Sequence, residues 1–366
     1  MKVLLSGGGT MGSVSPLIAI YEELKKKDAN WEAIWIGTPD GPEVEVIKNL
    51  GIPYYDLPTA KFRRYFSIKN IIDPFKLLYS ISKAKKILKD QKPDLILTAG
   101  GYVCYPVARA GSKLKIPVFV HQQDIVKGLA NKMMERYASI VTITYDASLS
   151  DFPMDKTFYT SNPIRQDRIT CDKNNAIQYF GLDPEKQTVL IIGGGVGAQA
   201  INQLTLESLG VLTEKYQVVH QTGKGKGITH LLEDYYPRVI QKQILTSYHE
   251  FEFINEGMCE ILKRADVIVT RAGISSLTEL SVLQKSIIII PMPDTHQEKN
   301  AEYYAKYNAA KYLRQKQIDG QAFTKAIVSL MDNKPEQQNL SKNIAKMIDA
   351  DAATRYVELI YKYLVL

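Results

Sequence analysis

The sequence predicts an α/β protein built from two doubly wound parallel-sheet domains. Three observations carry this. Short apolar strand patterns alternate with helical patterns along the chain, and that rhythm gives parallel sheets with right-handed crossovers. The grammar also starts twice: KVLLSGGGTMG at the beginning and TVLIIGGGVGA near residue 188 both read strand, glycine loop, helix. Finally, 366 residues is the length of about two domains.

In the first half, VLL is a short buried strand and GGGTMG is the turn. Ser15-Pro16 opens the helix PLIAIYEELKKK, with proline in the first turn and lysine in the last. Gly7, Gly9 and Gly12 spell G-x-G-x-x-G. A dinucleotide site also needs an acid at the end of the next strand. That strand, EAIWIGTPDG, ends in Gly37-Thr38, so NAD is not the expected guest. The loop reads either as a tight strand-to-helix turn or as backbone N–H groups facing a substrate diphosphate. PDLILTAGG (93–101), IPVFVHQQD (116–124) and SIVTITYD (139–146) are further strands. Gly100-Gly101-Tyr102 and His121-Gln122-Gln123-Asp124 follow strands directly. They share the carboxyl rim of the sheet with the first glycine loop, where such sheets bind ligands. His121 stands beside Asp124 in a polar run that a core should not tolerate, so it is read as functional.

In the second half, YQVVHQTGKGKG, SYHEFEFINEG, ADVIVTRAG and SIIIIPMPDTHQ are strands with polar or glycine-rich exits. The join lies near Ser161-Asn162-Pro163, giving domains 1–162 and 163–345. A C-terminal helix, about 346–366, is expected to cross back to the first. The stretch Arg271–Ala301 reads as a clamp for a sugar nucleotide. Its Gly turn leads into a helix carrying Glu279, whose carboxylate offers two acceptors to a ribose diol. His296 and Gln297 then supply the mixed donors and acceptors that sugar hydroxyls require. A diphosphate suits the Gly193–Gly197 loop, at a helix N-terminus. Arg165 adds a charge-assisted contact to it. The D-x-D string Asp349–Asp351 lies outside any strand exit and reads as helix capping, so no metal or cofactor is expected.

Hydrophobic residues make up 45% and charged residues 23%, ordinary for a soluble protein. The net charge of +7 could serve nucleic acid, a membrane surface or a phosphorylated substrate. No zinc finger, RNP-like motif or Arg-rich arm supports nucleic acid. The segment Lys61–Lys89 sets Phe66, Ile71, Ile72 and Phe75 among cations such as Lys76, with Asp73-Pro74 read as a break. Apolar wedges flanked by cations suit an anionic bilayer surface. No apolar run reaches the ~20 residues of a membrane span, and VLL runs straight into a glycine loop, so no signal peptide is expected. The three cysteines, Cys104, Cys171 and Cys259, are far apart and form no CxxC. Neither a disulfide nor a zinc site is expected, and a reducing compartment fits.

The segments GGGTMGSVSP, KPDLILTAGGYVCYP, IPVFVHQQDIVKGLANK, SNPIR, IIGGGVGAQAIN, HQTGKG, ADVIVTRAGISSLTEL and HQEKNA, in this order, resemble the MurG family. These are UDP-N-acetylglucosamine:undecaprenyl-diphospho-muramoylpentapeptide N-acetylglucosaminyltransferases. The resemblance spans nearly the whole chain. It implies a GT-B fold and inverting transfer of GlcNAc from UDP-GlcNAc to the C4 hydroxyl of lipid I, giving lipid II at the cytoplasmic membrane face. It implies Arg165, Gly194, Gly195, Val196 and Gly197 at the donor diphosphate and Phe253-Ile254 at the uracil. Ala272 and Gly273 fall to the donor, Glu279 to its ribose, and His296 and Gln297 to the GlcNAc. Gly9, Thr10, Met11, Gly12 and Tyr102 fall to the acceptor or a diphosphate, and Phe66–Lys76 to the membrane patch. There are departures. The family's GGTGGH reads GGTMGS here, with Met11 and Ser13, and its HEQN reads HQQD, with Gln122 and Asp124. Gly195 stands where the family has serine, and His296-Gln297 replaces two glutamines. With Ser13 in place of histidine, Asp124 is the expected base and His121 its positioner. The alternatives are a transferase for another lipid-linked acceptor, a UDP-GlcNAc 2-epimerase, and a sugar-nucleotide sensor without a base.

Overall fold

The computed structural model describes residues 1–59, 69–194 and 197–364, with the backbone alone for 69–73. The chain divides into two compact units. Unit 1 is Met1–Arg165 with Asp349–Leu366, and unit 2 is Gln166–Ile348.

Unit 1 carries a seven-stranded, all-parallel sheet. Its strands are β1 (Lys2–Ser6), β2 (Glu32–Gly37), β3 (Tyr54–Asp56), β4 (Leu95–Thr98), β5 (Val118–Gln122), β6 (Ile140–Ile143) and β7 (Thr157–Tyr159), in the order β3-β2-β1-β4-β5-β6-β7. The chain leaves β1 in one direction to β3 and then returns to the far side of β1, so the switch point falls between β1 and β4. The central strands are buried on both faces, which is why they read as near-continuous Val, Ile and Leu.

The C-terminal helix Ala352–Leu364 lies on this unit. Its Tyr356, Val357 and Ile360 join Val3, Leu5, Leu17 and Phe119 in one core. The indole N–H of Trp31 donates to the Tyr361 hydroxyl at 3.1 Å. Asp349 accepts from Arg355 at 2.6 Å, which ties the start of this helix.

Unit 2 carries a six-stranded parallel sheet, β8 (Thr188–Ile192), β9 (Gln217–Gln221), β10 (Tyr248–Phe251), β11 (Val267–Thr270), β12 (Ile287–Ile289) and β13 (Lys311–Tyr312), ordered β10-β9-β8-β11-β12-β13. Here the switch point falls between β8 and β11. These two doubly wound units are the pair that the GT-B expectation requires. β3, β7 and β13 are additions to the sequence reading. They are two or three residues long at or next to the sheet edges, too short for a periodicity signal.

Two expectations are corrected. Cys171 and Cys259 form a disulfide across 88 residues of sequence, with Cα atoms 6.2 Å apart. Spacing along the chain hid this, because folding sets the segment after the linker against the start of the helix Met258–Arg264. The cysteines therefore give no argument for a reducing compartment. Asp73-Pro74 does not break its helix, which runs Lys69–Gln91 with Pro74 inside it. Proline there removes one backbone bond near the described start rather than in the middle of the helix.

Candidate active site: two glycine-loop rims

In each unit a glycine loop and a second glycine turn flank the switch point, where open α/β sheets bind ligands. In unit 1, β1 exits into Gly7–Gly12, a 3₁₀ turn over Met11–Ser13 and the helix Ser15–Lys27. Ser13 is buried, and its Oγ accepts the Gly8 N–H at 3.2 Å. It also lies 3.3 Å from the Thr10 carbonyl and 3.4 Å from that of Gly8. The Ser13 hydroxyl, expected at the catalytic rim, holds the glycine loop.

A residue the sequence reading missed does more here. Glu43, from the helix after β2, is fully buried. Its carboxylate accepts from the backbone N–H of Gly9 at 3.1 Å and of Thr38 at 2.8 Å. A Cβ on Gly8 would stand 2.1 Å from that carboxylate. The signal was available: an acid shortly after a strand end, one strand away from a glycine loop.

Tyr102, beyond the Gly100-Gly101 turn of β4, covers the same loop, its Cε1 only 3.0 Å from where a Gly9 Cβ would be. Gly9 holds φ +83°, open to glycine. The Tyr102 hydroxyl is pushed above its ordinary value, by burial first and then by Glu43 and Asp40. Thr10 is exposed, while Met11 and Gly12 are half-buried.

His121 is corrected most. The polar run His121-Gln122-Gln123 is interior, each residue at most 7% exposed, because every side chain has partners. His121 Nδ1 lies 2.9 Å from the Thr142 hydroxyl and Nε2 2.9 Å from Asn162 Oδ1. An amide oxygen can only accept, so Nε2 carries the proton and Nδ1 accepts from Thr142. Burial pushes the His121 pKa down to about 4, so the ring is neutral. Its side chain is fully buried.

Gln122 Nε2 donates to the carbonyls of Asp124 (2.7 Å) and Val126 (2.9 Å). Gln123 Nε2 donates to Ala99 O at 2.8 Å. Asn131, also missed, donates to His121 O at 3.0 Å and Gln122 Oε1 at 2.8 Å. The net fixes the loop and leaves Asp124 as the one side chain of the four that is partly exposed. Arg165, expected at a diphosphate, ends unit 1, where its Nε donates to Glu22 at 3.2 Å.

In unit 2, β8 exits into Gly193–Gly197 and the helix Gln199–Lys215. Gly195 and Val196 lie outside the described residues. Gly197 donates to Gly194 O at 3.0 Å. At φ +70°, a Cβ on it would sit 1.9 Å from Thr222 O, so no side chain fits. Gln221, at the end of β9, bridges two predicted donor segments. Its Nε2 donates to Gly194 O at 3.2 Å and its Oε1 accepts the Ile254 N–H at 2.9 Å. Ile254 is buried, while Phe253 beside it is 52% exposed. Asn202 holds the next turn through Thr222 O (2.9 Å) and Lys226 O (3.1 Å).

Arg271 is buried and spans the exits of β11 and β12, donating to Ile290 O (2.9 Å) and Pro291 O (3.0 Å). Asn300 Nδ2 reaches Ala272 O at 3.0 Å. Thr295 caps the helix His296–Lys306 by accepting from Gln297 N. Gln297 Oε1 in turn accepts from Met292 N at 3.1 Å. Ala272, Gly273, the half-buried Glu279, the exposed His296 and Gln297 thus belong to one cross-tied assembly. Gln221, Arg271 and Asn300 were legible only as polar residues at the ends of apolar strands or in short polar loops.

Of the expected membrane patch, Phe66 lies outside the described residues, as do the side chains of Ile71 and Ile72. Phe75 is 73% exposed, and Lys76 is exposed beside it. Leu78 and Tyr79 extend the apolar surface. Among the described residues no helix is long and apolar enough to cross a membrane.

The Glycosyltransferase family 28 N-terminal domain matches residues 3–143 and the family 28 C-terminal domain residues 188–356, so the class is that of family 28 glycosyltransferases. A Bacillus pumilus protein is 34% identical over 97% of both chains. Its name is UDP-N-acetylglucosamine--N-acetylmuramyl-(pentapeptide) pyrophosphoryl-undecaprenol N-acetylglucosamine transferase. The chain belongs to this family of transferases. Acinetobacter baumannii MurG shares the fold, with TM-score 0.76 and 24% identity over 99% of both chains. So does a Neisseria meningitidis UDP-GlcNAc 2-epimerase bound to UDP-GlcNAc, with TM-score 0.71 and 17% identity over 99% of this chain and 100% of that one.

Proposed function

We propose that the protein transfers GlcNAc from UDP-GlcNAc to the C4 hydroxyl of MurNAc in lipid I, with inversion, giving lipid II. The observation that carries this is 34% identity with a named transferase of that kind across 97% of the chain.

The donor falls to unit 2. Gly194–Gly197 and the N-terminus of the following helix take the diphosphate, Glu279 the ribose, Phe253 and Ile254 the uracil, and His296 and Gln297 the sugar. The tying of these segments by Gln221, Arg271 and Asn300 supports one preorganised cradle. The acceptor falls to unit 1, at Gly9, Thr10, Met11, Gly12 and Tyr102. Gly9 serves by permitting close approach, since its N–H is given to Glu43.

In the reaction, the acceptor O4 forms a bond to C1 of GlcNAc and its proton goes to the Asp124 carboxylate. The C1–O bond to UDP breaks and its electron pair leaves on the diphosphate. There the backbone N–H groups and the helix dipole stabilise the growing charge. His121 positions the Asp124 loop from the interior. Arg165, whose Nε is held by Glu22, adds its charge to the leaving diphosphate.

The exposed Phe75, Leu78 and Tyr79 beside Lys76 support peripheral binding to an anionic membrane at its cytoplasmic face. The direct test is turnover with UDP-GlcNAc and lipid I. UDP release that needs lipid I supports the reading. Another lipid acceptor preferred over lipid I, or UDP release without lipid, overturns it in favour of the related transferase or the epimerase.

A further inference from the structure

On unit 2, away from the ligand rim, a cavity of about 470 Å³ opens at the amino ends of β11 and β12. Lys173, Lys263, Arg264, Lys285 and Lys342 line it, against one carboxylate, Asp266. That carboxylate is already committed, accepting from Thr188 N at 2.9 Å and from Lys334 at 3.3 Å. The cations meet carbonyl oxygens instead. Lys285 Nζ donates to Lys263 O at 3.0 Å, Lys263 Nζ to Cys171 O at 2.8 Å, and Arg264 Nη2 to Pro184 O at 2.7 Å.

Cations in the last turn of the helix Met258–Arg264 are explained by its dipole. Two other features are not. Lys285 follows a different helix and is half-buried against this cluster. Ser286 is 3% exposed, lines the cavity, and its Oγ has no partner; neither does the buried Nε of Arg264. Buried hydroxyls and guanidinium N–H groups are normally satisfied. Burial pushes the Lys285 pKa down to about 8, with Asp266 opposing the shift and Lys173 adding to it.

We propose that this cavity is a binding site for a phosphate-bearing anion. Lys285, Lys173 and Lys342 supply the charge, and Ser286 Oγ and Arg264 Nε the directed hydrogen bonds. Several oxygens bridging several cations favour a diphosphate or a phosphate ester over a carboxylate. The site is distinct from the donor cradle, which lies at the opposite ends of the same strands.

The test uses the full-length protein saturated with UDP, so that the donor diphosphate site is taken. Thermal unfolding and calorimetric titration are read with inorganic diphosphate at constant ionic strength. Binding to phosphatidylglycerol vesicles is read in parallel in a Phe75→Ser background. Lys285→Met removes the interior charge, and the exposed pair Lys173→Ser/Lys342→Ser guards against misfolding. Diphosphate affinity weakened about tenfold or more in both variants supports a soluble anion. Vesicle binding lost in Lys173→Ser/Lys342→Ser supports a lipid headgroup at the same site. If diphosphate and vesicle binding are both absent, or both indifferent to the variants, the proposal fails.

Discussion

The loop after β1 gives its Gly9 N–H to the buried carboxylate of Glu43, and Ser13 takes the Gly8 N–H. The loop after β8 is tied by amides instead, with Gln221 on Gly194 and Asn202 on the neighbouring turn. Both loops sit at the switch point of a doubly wound sheet, and both read alike in one dimension. Their electrostatics differ. A diphosphate brought to Gly9 meets a carboxylate already in residence, and like charges at such range repel strongly in a low-dielectric setting. Brought to Gly194, it meets neutral dipoles that have fixed the loop. The same turn is therefore braced by a buried carboxylate in unit 1 and by neutral amides in unit 2.

Substitutions on either rim sharpen this contrast. Asp124→Asn should lower kcat by about 10²–10⁴-fold while UDP affinity, a unit 2 property, is kept. Unchanged turnover in a steady-state assay removes Asp124 as the base. Glu43→Gln sets an amide donor against the Gly9 or Thr38 N–H. It should cost unit 1 about 1–3 kcal/mol in denaturant unfolding. It should also lower kcat/KM for the lipid acceptor and leave UDP binding alone. A loss confined to UDP binding would show that the contrast is misassigned. Gln221→Ala unties Gly194 from Ile254, and UDP affinity should fall about tenfold by calorimetry, with Asp124-dependent chemistry otherwise intact. Equal loss of acceptor binding would count against separate rims.

The smallest effect near neutral pH comes from two buried histidines, His121 on β5 and His220 on β9. His121 is held near pKa 4 and His220 near 3, both by burial. Their folded-state values lie below the unfolded value of about 6.5. The unfolded chain therefore binds more protons in between, and stability is full above about pH 6.5 and falls as pH drops. The loss should extend to about pH 4 for His121 and to about pH 3 for His220. His121→Asn should flatten the upper part of that acid limb in pH-dependent unfolding, and an unaltered limb would refute the assignment.

Much of this was legible in one dimension because the forces involved are local or periodic. Strands buried on both faces are largely apolar, so most of the ten expected strands announced themselves in this way, and glycine loops repeated the grammar. Glu279 was visible on its helix for the same reason, whereas His296-Gln297, expected in a polar loop, open the helix His296–Lys306. What folding decided concerns partners. HQQD looked like a surface run because four polar residues cannot sit in a core unpaired. Thr142, Asn162, Ala99 and Asn131, none of them a chain neighbour, partner the first three in the interior, while Asp124 is partly exposed. Cys171 and Cys259 were separate until the fold brought them together. The sequence alone determined two parallel sheets, their glycine-loop rims and the residue types a nucleotide-sugar transferase needs. Only the tertiary structure decided which polar groups are spent inside the protein and which remain for a ligand, because a hydrogen bond's partner is a neighbour in space.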